Sequence, residues 1–303
     1  MSTFEEFLTG CPVYGELCRE LENADYKLAF AATAVHAVHE DDLRRIAEPL
    51  LGYARARYGA DLAGRYAERT RELEQLQRQF DRDPRVETLG RPDHPIDRDK
   101  YHIALLLSIV FTNHRFEIML RLEQFFAALE KRGRMAGLGT GTGYEIKIAA
   151  GTLPEWEIES YDIDPSAEAE ARQLLQHFGV RVPIRFGREL PIDTPDDALL
   201  RRYDAIVACE VLEHLPDPAR ALRTMREYLT DRGRMFVTMA INIAQEDHIF
   251  LYPDLASCRR QLADCSLRVI EEWVTPQTLW PPPADREKEF KRGNYVAVVE
   301  RMS

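Results

Sequence analysis

Short apolar runs alternate with helical segments from Gly133 onward, and this alternation constrains the fold most. The strand-like runs cover residues 134–138, 157–162, 181–186, 203–209 and 234–240. A helical segment follows each run, and such a series predicts a parallel sheet with helices on both faces and right-handed crossovers. Two further runs, 267–275 and 294–300, are joined by a Pro-rich, charged loop. They predict an antiparallel pair at the edge of the same sheet.

The first part of the chain has a different pattern of apolar residues. Apolar residues at three- and four-residue spacing predict helices over 14–39, 40–58, 61–80 and 100–131, interrupted by a turn-rich stretch at 81–97. We therefore divide the chain into residues 1–128, an all-helical cap that binds substrate or mediates dimerisation, and residues 129–303, an α/β domain.

A glycine-rich turn closes the first predicted strand. It reads Leu138-Gly139-Thr140-Gly141-Thr142-Gly143. Glycines at a strand-to-helix turn let a ligand contact bare backbone, and Asp162, which ends the next run, is placed to bind a ribose diol. Three glycines also make an ordinary tight turn, but the order of the later elements favours a nucleoside cofactor. Asp164 is interpreted instead as a helix N-cap before Pro165.

A family resemblance rests on this turn and on the segment Tyr203 to Pro218, which reads YDAIVACEVLEHLPDP. Residues 133–300 resemble the class I S-adenosylmethionine-dependent methyltransferases, and the segment is similar to their ubiquinone-biosynthesis O-methyltransferase branch. The resemblance implies a Rossmann-like, mostly parallel sheet of seven strands with an antiparallel last hairpin. It also implies S-adenosylmethionine as cofactor. The cofactor-binding candidates are Leu138, Gly139, Thr140, Gly141, Gly143, Asp162, Ile163, Glu189, Cys209 and Glu210.

The sequence departs from that family at one position of the turn. Gly137 stands where the family commonly has an acid that orders the amino end of the cofactor. Another group must supply this contact. Glu189, after the third strand, is the candidate for the adenine amine, with a solvated loop glutamate as the alternative.

Three ionisable side chains crowd the loop after the fourth strand. Glu210, Glu213 and His214, with His248 from the loop after the fifth strand, form a mixed N/O set that could hold a divalent metal such as Mg or Zn. The arrangement is similar to the metal site of small-RNA 2′-O-methyltransferases. Alternatively, His214 acts as a general base whose tautomer Glu213 fixes. In the plainest interpretation, Glu213 and His214 merely begin the next helix.

Composition limits the partners. Lys and Arg total 40 against 51 Asp and Glu, a net charge of −11, which disfavours nucleic acid. The first residues lack a secretory signal, and no apolar run reaches membrane-spanning length. Five cysteines without a close pair argue against a disulfide framework. We expect a cytoplasmic protein without membrane contact, whose N-terminal helices could mediate a homodimer.

The most consistent function is methyl transfer to a small-molecule acceptor, at oxygen rather than at nitrogen or carbon. The alternatives are an RNA 2′-O-methyltransferase and a noncatalytic cofactor-binding protein of the same fold. A dehydrogenase would need a substrate domain after its nucleotide-binding domain. Here the additional residues, 1–128, precede that domain. Phe250, Tyr252, Trp273 and Trp280 could line an acceptor pocket, with core packing as the alternative for each.

Overall fold

A seven-stranded sheet forms the centre of the C-terminal part. The computed structural model describes residues 3–24, 28–85, 97–277 and 291–302, so most of the turn-rich stretch and of the Pro-rich loop, including Trp280, lies outside the description. The strands are β1 (Arg134–Leu138), β2 (Glu157–Tyr161), β3 (Ile184–Gly187), β4 (Tyr203–Ala208), β5 (Leu229–Ile241), β6 (Leu267–Pro276) and β7 (Gly293–Arg301). Their order is β3-β2-β1-β4-β5-β7-β6.

The strand directions confirm the predicted fold. β1 to β5 pair in parallel, and β7 is antiparallel to both β5 and β6. In register, Leu138 lies beside Tyr161 on one side and Ala208 on the other. The carboxyl ends of β1, β2 and β4 therefore meet at one edge of the sheet, where ligands of open α/β folds bind.

Helices cover the sheet and extend beyond it. The N-terminal helices are α1 (Phe4–Gly10), α2 (Pro12–Asn23), α3 (Leu28–Tyr58), α4 (Leu62–Arg82), α5 (Arg98–Phe111) and α6 (Asn113–Ala127). The helices between the strands are α7 (Tyr144–Thr152), α8 (Ala167–His177), α9 (Pro218–Tyr228) and α10 (Leu255–Asp264). No single described helix has the length and apolar composition to cross a membrane; only α5 and α6 taken together meet that criterion.

Two helix predictions need correction. The helix predicted over 100–131 is two helices, α5 and α6, bent by 81°. Thr112 between them has extended backbone angles, φ −127° and ψ 134°, and cannot continue the helix. The helix predicted over 14–39 is also interrupted, since α2 ends at Asn23 and α3 begins at Leu28. The break predicted between residues 39 and 40 is confirmed as a kink at His39, which has the non-helical angles φ −131° and ψ 35°.

The alternation of side chains along the strands separates two apolar layers. Met135 and Phe236 face the layer that holds the buried side of the N-terminal helices, whereas Ala136 and Val237 face the layer of α9 and α10. The first layer is continuous across residue 128, since Phe125 of α6 packs against Phe236 of β5 with ring centroids 5.6 Å apart. The helix α6 thus covers the sheet directly. The division at residue 128 stays a prediction.

Candidate functional site

A cavity of about 1440 Å³ lies between the N-terminal helices and the carboxyl edge of the sheet. Tyr66 and Arg69 of α4 and Tyr101 and Leu105 of α5 form part of its helical wall. The predicted cofactor residues on the opposite wall are Leu138, Gly139, Gly141, Asp162, Ile163, Glu189, Cys209 and Glu210. The sheet edge and the helices therefore enclose one common space.

The glycine-rich turn has the backbone that its sequence predicts. Gly139 and Gly141 have φ of 72° and 49°, in the left-handed region that L side chains rarely adopt. A Cβ on Gly139 would lie 2.7 Å from Cγ2 of Val211. A Cβ on Gly141 would lie 3.4 Å from Cδ1 of Leu105. Val211 therefore packs against the turn at Gly139, and α5 passes close to it through Leu105.

Thr140 and Gly143, also predicted to bind the cofactor, do not line this cavity. The Thr140 side chain is buried, and its hydroxyl lies 2.6 Å from the Ser160 hydroxyl. Gly143 is the N-cap of α7 with φ 81°, and a Cβ there would lie 2.6 Å from Cβ of Ala171. Both residues shape the turn and its packing, and their contact with the cofactor stays a prediction.

Asp162 is held where a ribose could bind. Its Oδ2 accepts a hydrogen bond of 2.9 Å from the Gly141 amide, and its Oδ1 accepts one of 2.8 Å from the Asp164 amide. A carboxylate offers about four acceptor positions, so these two bonds orient the group and leave room for two hydroxyls. Ile163, next in the chain, is 77% exposed and lines the cavity.

Asp164 stabilises the turn before α8 and is not its N-cap. Its Oδ1 accepts from the Ser166 amide at 2.9 Å, while the helix begins at Ala167 with Ser166 as N-cap. Its Oδ2 pairs with Arg98 of α5 at 2.8 Å. The hydrogen bonds to Ser166 and the Arg98 charge outweigh desolvation, so the pKa of Asp164 is lowered.

Glu210 is bound in place by its neighbours. It has a positive φ of 55°, a strained conformation for a side chain of this type. Its Oε1 accepts from the Thr238 hydroxyl and from Nδ2 of Asn294, both at 2.6 Å, and its Oε2 lies 3.6 Å from Nη1 of Arg115. Glu210 lines the cavity but does not join the cluster of potential metal ligands described next.

Glu213, His214 and His248 come together as predicted. One ligand atom from each residue lies within 4.8 Å of the others, and the two imidazole rings are perpendicular with centroids 4.8 Å apart. Glu213 and His214 lie in a 3₁₀ turn, Leu212–His214, whereas α9 begins at Pro218 with Asp217 as its N-cap. The interpretation that they simply begin the next helix is therefore wrong.

Backbone carbonyls fix the tautomers of both histidines. Nδ1 of His248 lies 2.8 Å from the Ile243 carbonyl, and Nδ1 of His214 lies 3.0 Å from the Asp247 carbonyl. Because a carbonyl only accepts, both Nδ1 atoms carry the proton and both Nε2 atoms present a lone pair. The Asp247 carbonyl, and not Glu213 as predicted, thus holds the His214 tautomer.

Burial sets the charge state of this cluster. The Glu213 side chain is fully buried, and neither carboxylate oxygen has a hydrogen-bond partner within the described residues. Desolvation, with the nearby charges of Glu210 and Asp247, raises the pKa of Glu213 well above its ordinary range. Desolvation lowers the pKa of His248 to about 4. Glu213 thus lacks the proton donor or cation that a buried carboxylate requires.

Sequence reasoning missed a charged group from the helical wall. Arg115, in the first turn of α6, is buried and lies 3.6 Å from both Glu145 and Glu210. Arg115 and Glu145 both line the cavity. The only sequence signal was an arginine inside an otherwise apolar helical segment. His114, to which the sequence assigned no role, also lines the cavity and is buried.

Three of the four aromatic residues that could line an acceptor pocket lie elsewhere in the structure. Tyr252 is buried in the apolar layer of α9 and α10, and Phe250 packs against the same layer. Trp273 on β6 packs beside Arg121, whose Cζ lies 4.9 Å from its ring centroid. None of these three lines the described cavity, so the core-packing alternative is correct for them.

Comparisons with known proteins agree with the fold and with the glycine-rich turn. Residues 137–235 match the family model of a methyltransferase domain. A carbon methyltransferase, CurJ, has a similar solved structure with a TM-score of 0.52 and 16% identity, over 91% of this chain and 71% of that one. A chain from the complex of the Haloferax volcanii Trm112 methyltransferase activator and a putative methyltransferase has a TM-score of 0.51 and 16% identity, over 68% and 96%. No curated protein sequence matches significantly.

Residues 137–235 thus match a methyltransferase domain, and they lie on a Rossmann-like sheet. The matched segment begins at Gly137 and contains the turn, Asp162 and the loop of Glu213 and His214. The family match and the fold together support a methyltransferase enzyme, as the sequence predicted, and the family implies S-adenosylmethionine as methyl donor. The resemblance to the ubiquinone branch stays a prediction.

Proposed function

We propose that the protein transfers a methyl group from S-adenosylmethionine to a hydroxyl of a small molecule. One observation carries the proposal: His214 lines the same enclosed cavity as Gly139, Gly141 and Asp162. This supports a role for Nε2 of His214 as the base in the space that would receive the methyl donor.

The cofactor has a natural orientation in this cavity. Asp162 binds the ribose hydroxyls, and the exposed Ile163 covers one face of the adenine, with Glu189 near its amine. The methionine part lies beside the backbone of Gly139 and Gly141, which have no side chains of their own. The sulfonium then faces the loop that begins at Cys209, and this loop also carries His214.

Methyl transfer from a sulfonium requires few catalytic side chains. The acceptor oxygen attacks the methyl carbon in line, the new C–O bond forms as the S–CH₃ bond breaks, and S-adenosylhomocysteine leaves with the sulfur electron pair. The hydroxyl proton passes to Nε2 of His214. The protein mainly aligns donor and acceptor and excludes water, which the helical wall does by covering the sheet edge.

Glu213, His214 and His248 fit a divalent cation, Mg or Zn. The fit rests on the buried Glu213 carboxylate without a described partner and on the two imidazoles that present Nε2. When bound, such an ion would occupy Nε2 of His214 and would itself polarise the acceptor hydroxyl and lower its pKa, so metal assistance is the alternative to His214 acting as the base. Glu210, also expected among the ligands, already accepts hydrogen bonds from Thr238 and Asn294, so we assign it to cofactor binding.

A small acceptor is favoured over RNA. The cavity is roofed by α4 and α5, and the net charge of −11 opposes a polyanion. In this proposal the N-terminal helices form the acceptor pocket.

The test is a methyl-transfer assay with radiolabelled S-adenosylmethionine against a panel of small hydroxylated acceptors. His214→Ala should lower turnover roughly 100-fold while leaving cofactor affinity unchanged. His177→Ala, an exposed histidine on α8, is the matched control and should retain full turnover. Labelling of amines only, or full activity of His214→Ala, would contradict the proposal.

Metal content is measured separately. Elemental analysis of the purified protein should find about one equivalent of a divalent ion, lost in His248→Ala. A metal-free, fully active wild type would end the metal hypothesis and leave His214 as the base.

A further inference from the structure

The cavity contains an unusual arrangement of charge between α6 and the glycine-rich turn. Arg115 stands between two acids, with Nη2 3.6 Å from Oε1 of Glu145 and Nη1 3.6 Å from Oε2 of Glu210. These separations are too long for hydrogen bonds. The guanidinium is therefore attracted to both acids but is not locked to either.

Arg115 also has a hydrogen-bond donor that no described residue uses. It is 7% exposed, and its Nε has no hydrogen-bond partner within the described residues. Burial opposes its charge, yet the neighbouring acids, Glu210 first, hold the pKa of Arg115 above its ordinary value. A buried, charged arginine with unused donors is a site for a planar anion such as a carboxylate.

Glu145 has complementary properties. It lies in the first turn of α7, directly after the glycine-rich turn, and it lines the cavity. Burial raises its pKa, and Arg115 partly offsets this effect. A bound ammonium would stabilise the ionised carboxylate further. One cation and one anion thus face the same space beside Gly139 and Gly141.

We propose that Arg115 and Glu145 together bind the α-amino-carboxylate of the methyl donor, Arg115 the carboxylate and Glu145 the ammonium. The inference rests on the proposed function. It explains how the chain tolerates Gly137, since Glu145 and Arg115 replace the acid missing there. A Cβ at Gly137 would lie 3.0 Å from Cδ1 of Ile146, so an acid there would require the Ile146 side chain to shift.

The bend between α5 and α6 makes this arrangement possible. Because the chain turns by 81° at Thr112, the start of α6 is brought to the turn that α5 already overlies through Leu105. The N-terminal helices then cover the cofactor site and also contribute Arg115 to it.

Three ligands separate the contributions. S-adenosylmethionine carries both groups, decarboxylated S-adenosylmethionine lacks the carboxylate, and 5′-methylthioadenosine lacks both. Calorimetry on the full chain should show that Arg115→Met weakens S-adenosylmethionine roughly 10- to 100-fold and leaves the other two ligands within about twofold. Glu145→Gln should weaken S-adenosylmethionine and its decarboxylated form, but not 5′-methylthioadenosine.

Control variants keep the result interpretable. Arg115→Lys retains the charge in the fold and should give an intermediate loss. Arg45→Met removes an exposed arginine of α3, paired with Glu123 outside the cavity, and should change no affinity.

An equal loss for all three ligands in Arg115→Met, or no loss for any, would overturn the inference. An unchanged cofactor affinity with a raised KM for an acidic acceptor would also overturn it and would assign Arg115 to the acceptor. If the wild type binds none of the three ligands, the proposed function fails as well.

Discussion

Arg69 of α4 and Glu246, which follows β5, are joined by two hydrogen bonds across the cavity, Nη1 to Oε1 at 2.5 Å and Nη2 to Oε2 at 2.7 Å. The arginine is 5% exposed. This pair holds the helical wall to the loop that carries His248. The acceptor side of the site therefore depends on the contact between the two parts of the chain.

Breaking this pair should be costly. We expect Arg69→Met to lower the free energy of unfolding by about 3 kcal/mol, because Glu246 loses its bidentate partner in a mostly buried position. Glu246→Gln in the same chain should restore part of the loss, as measured by denaturant unfolding. Arg78→Met is the matched control on α4: Arg78 pairs at the surface with Glu74, and its loss should cost less than about 0.5 kcal/mol. Equal costs for both single variants would contradict this account.

Two glycines of the same turn should respond differently to alanine. Both have positive φ, which costs roughly 1 kcal/mol for alanine. Gly143→Ala also forces its Cβ against Ala171 and should lose about 2 kcal/mol more in stability, with little change in the cofactor affinity of the folded protein. Gly141→Ala meets only Leu105 at contact distance, so it should remain stable and bind the cofactor roughly tenfold more weakly. Thermal unfolding and calorimetry distinguish them, and the reverse pattern would place the ligand at Gly143.

Glu213→Gln should have opposite effects with and without metal. In metal-free protein the change replaces a buried carboxyl group that has no described partner by a neutral amide, so stability should stay the same or rise. With Mg²⁺ or Zn²⁺ added, the wild type should gain in Tm and the variant should not. A similar gain in both would show that Glu213 is not a ligand.

Buried neutral histidines should make the protein sensitive to acid. Burial, reinforced by Arg115, lowers the pKa of His114 from 6.5 to about 3. Between these values the unfolded chain binds a proton that the folded chain does not, so stability falls as pH falls, by about 1.4 kcal/mol per pH unit for this group. His114→Leu should reduce that slope in unfolding experiments between pH 6 and about pH 4. Ile118→Val, which trims the core on the same helix, should shift stability equally at every pH.

The sheet and the cofactor edge could be predicted because local patterns determine them. The apolar runs give the strands, and parallel strands bring the ends of β1, β2 and β4 to one edge, so Gly139, Asp162 and His214 could be placed from the chain alone. The burial of the Thr140 side chain could not be predicted, because adjacency in sequence does not show on which side of a turn a side chain lies.

Arg115 and Glu145 could not be found in the same way. Their contact depends on the 81° bend at Thr112, which a continuous helical periodicity over 100–131 conceals. The tautomer of His214 likewise depends on a backbone carbonyl, that of Asp247, whose position no side-chain pattern reveals.

Cofactor binding tests the central claim most directly. Calorimetric titration of the wild-type chain with S-adenosylmethionine and with NAD should show tight binding of the former alone, and Asp162→Ala should abolish most of it by removing the ribose ligand. Binding of NAD in place of S-adenosylmethionine, or of neither, would contradict the claim that this cavity serves methyl transfer.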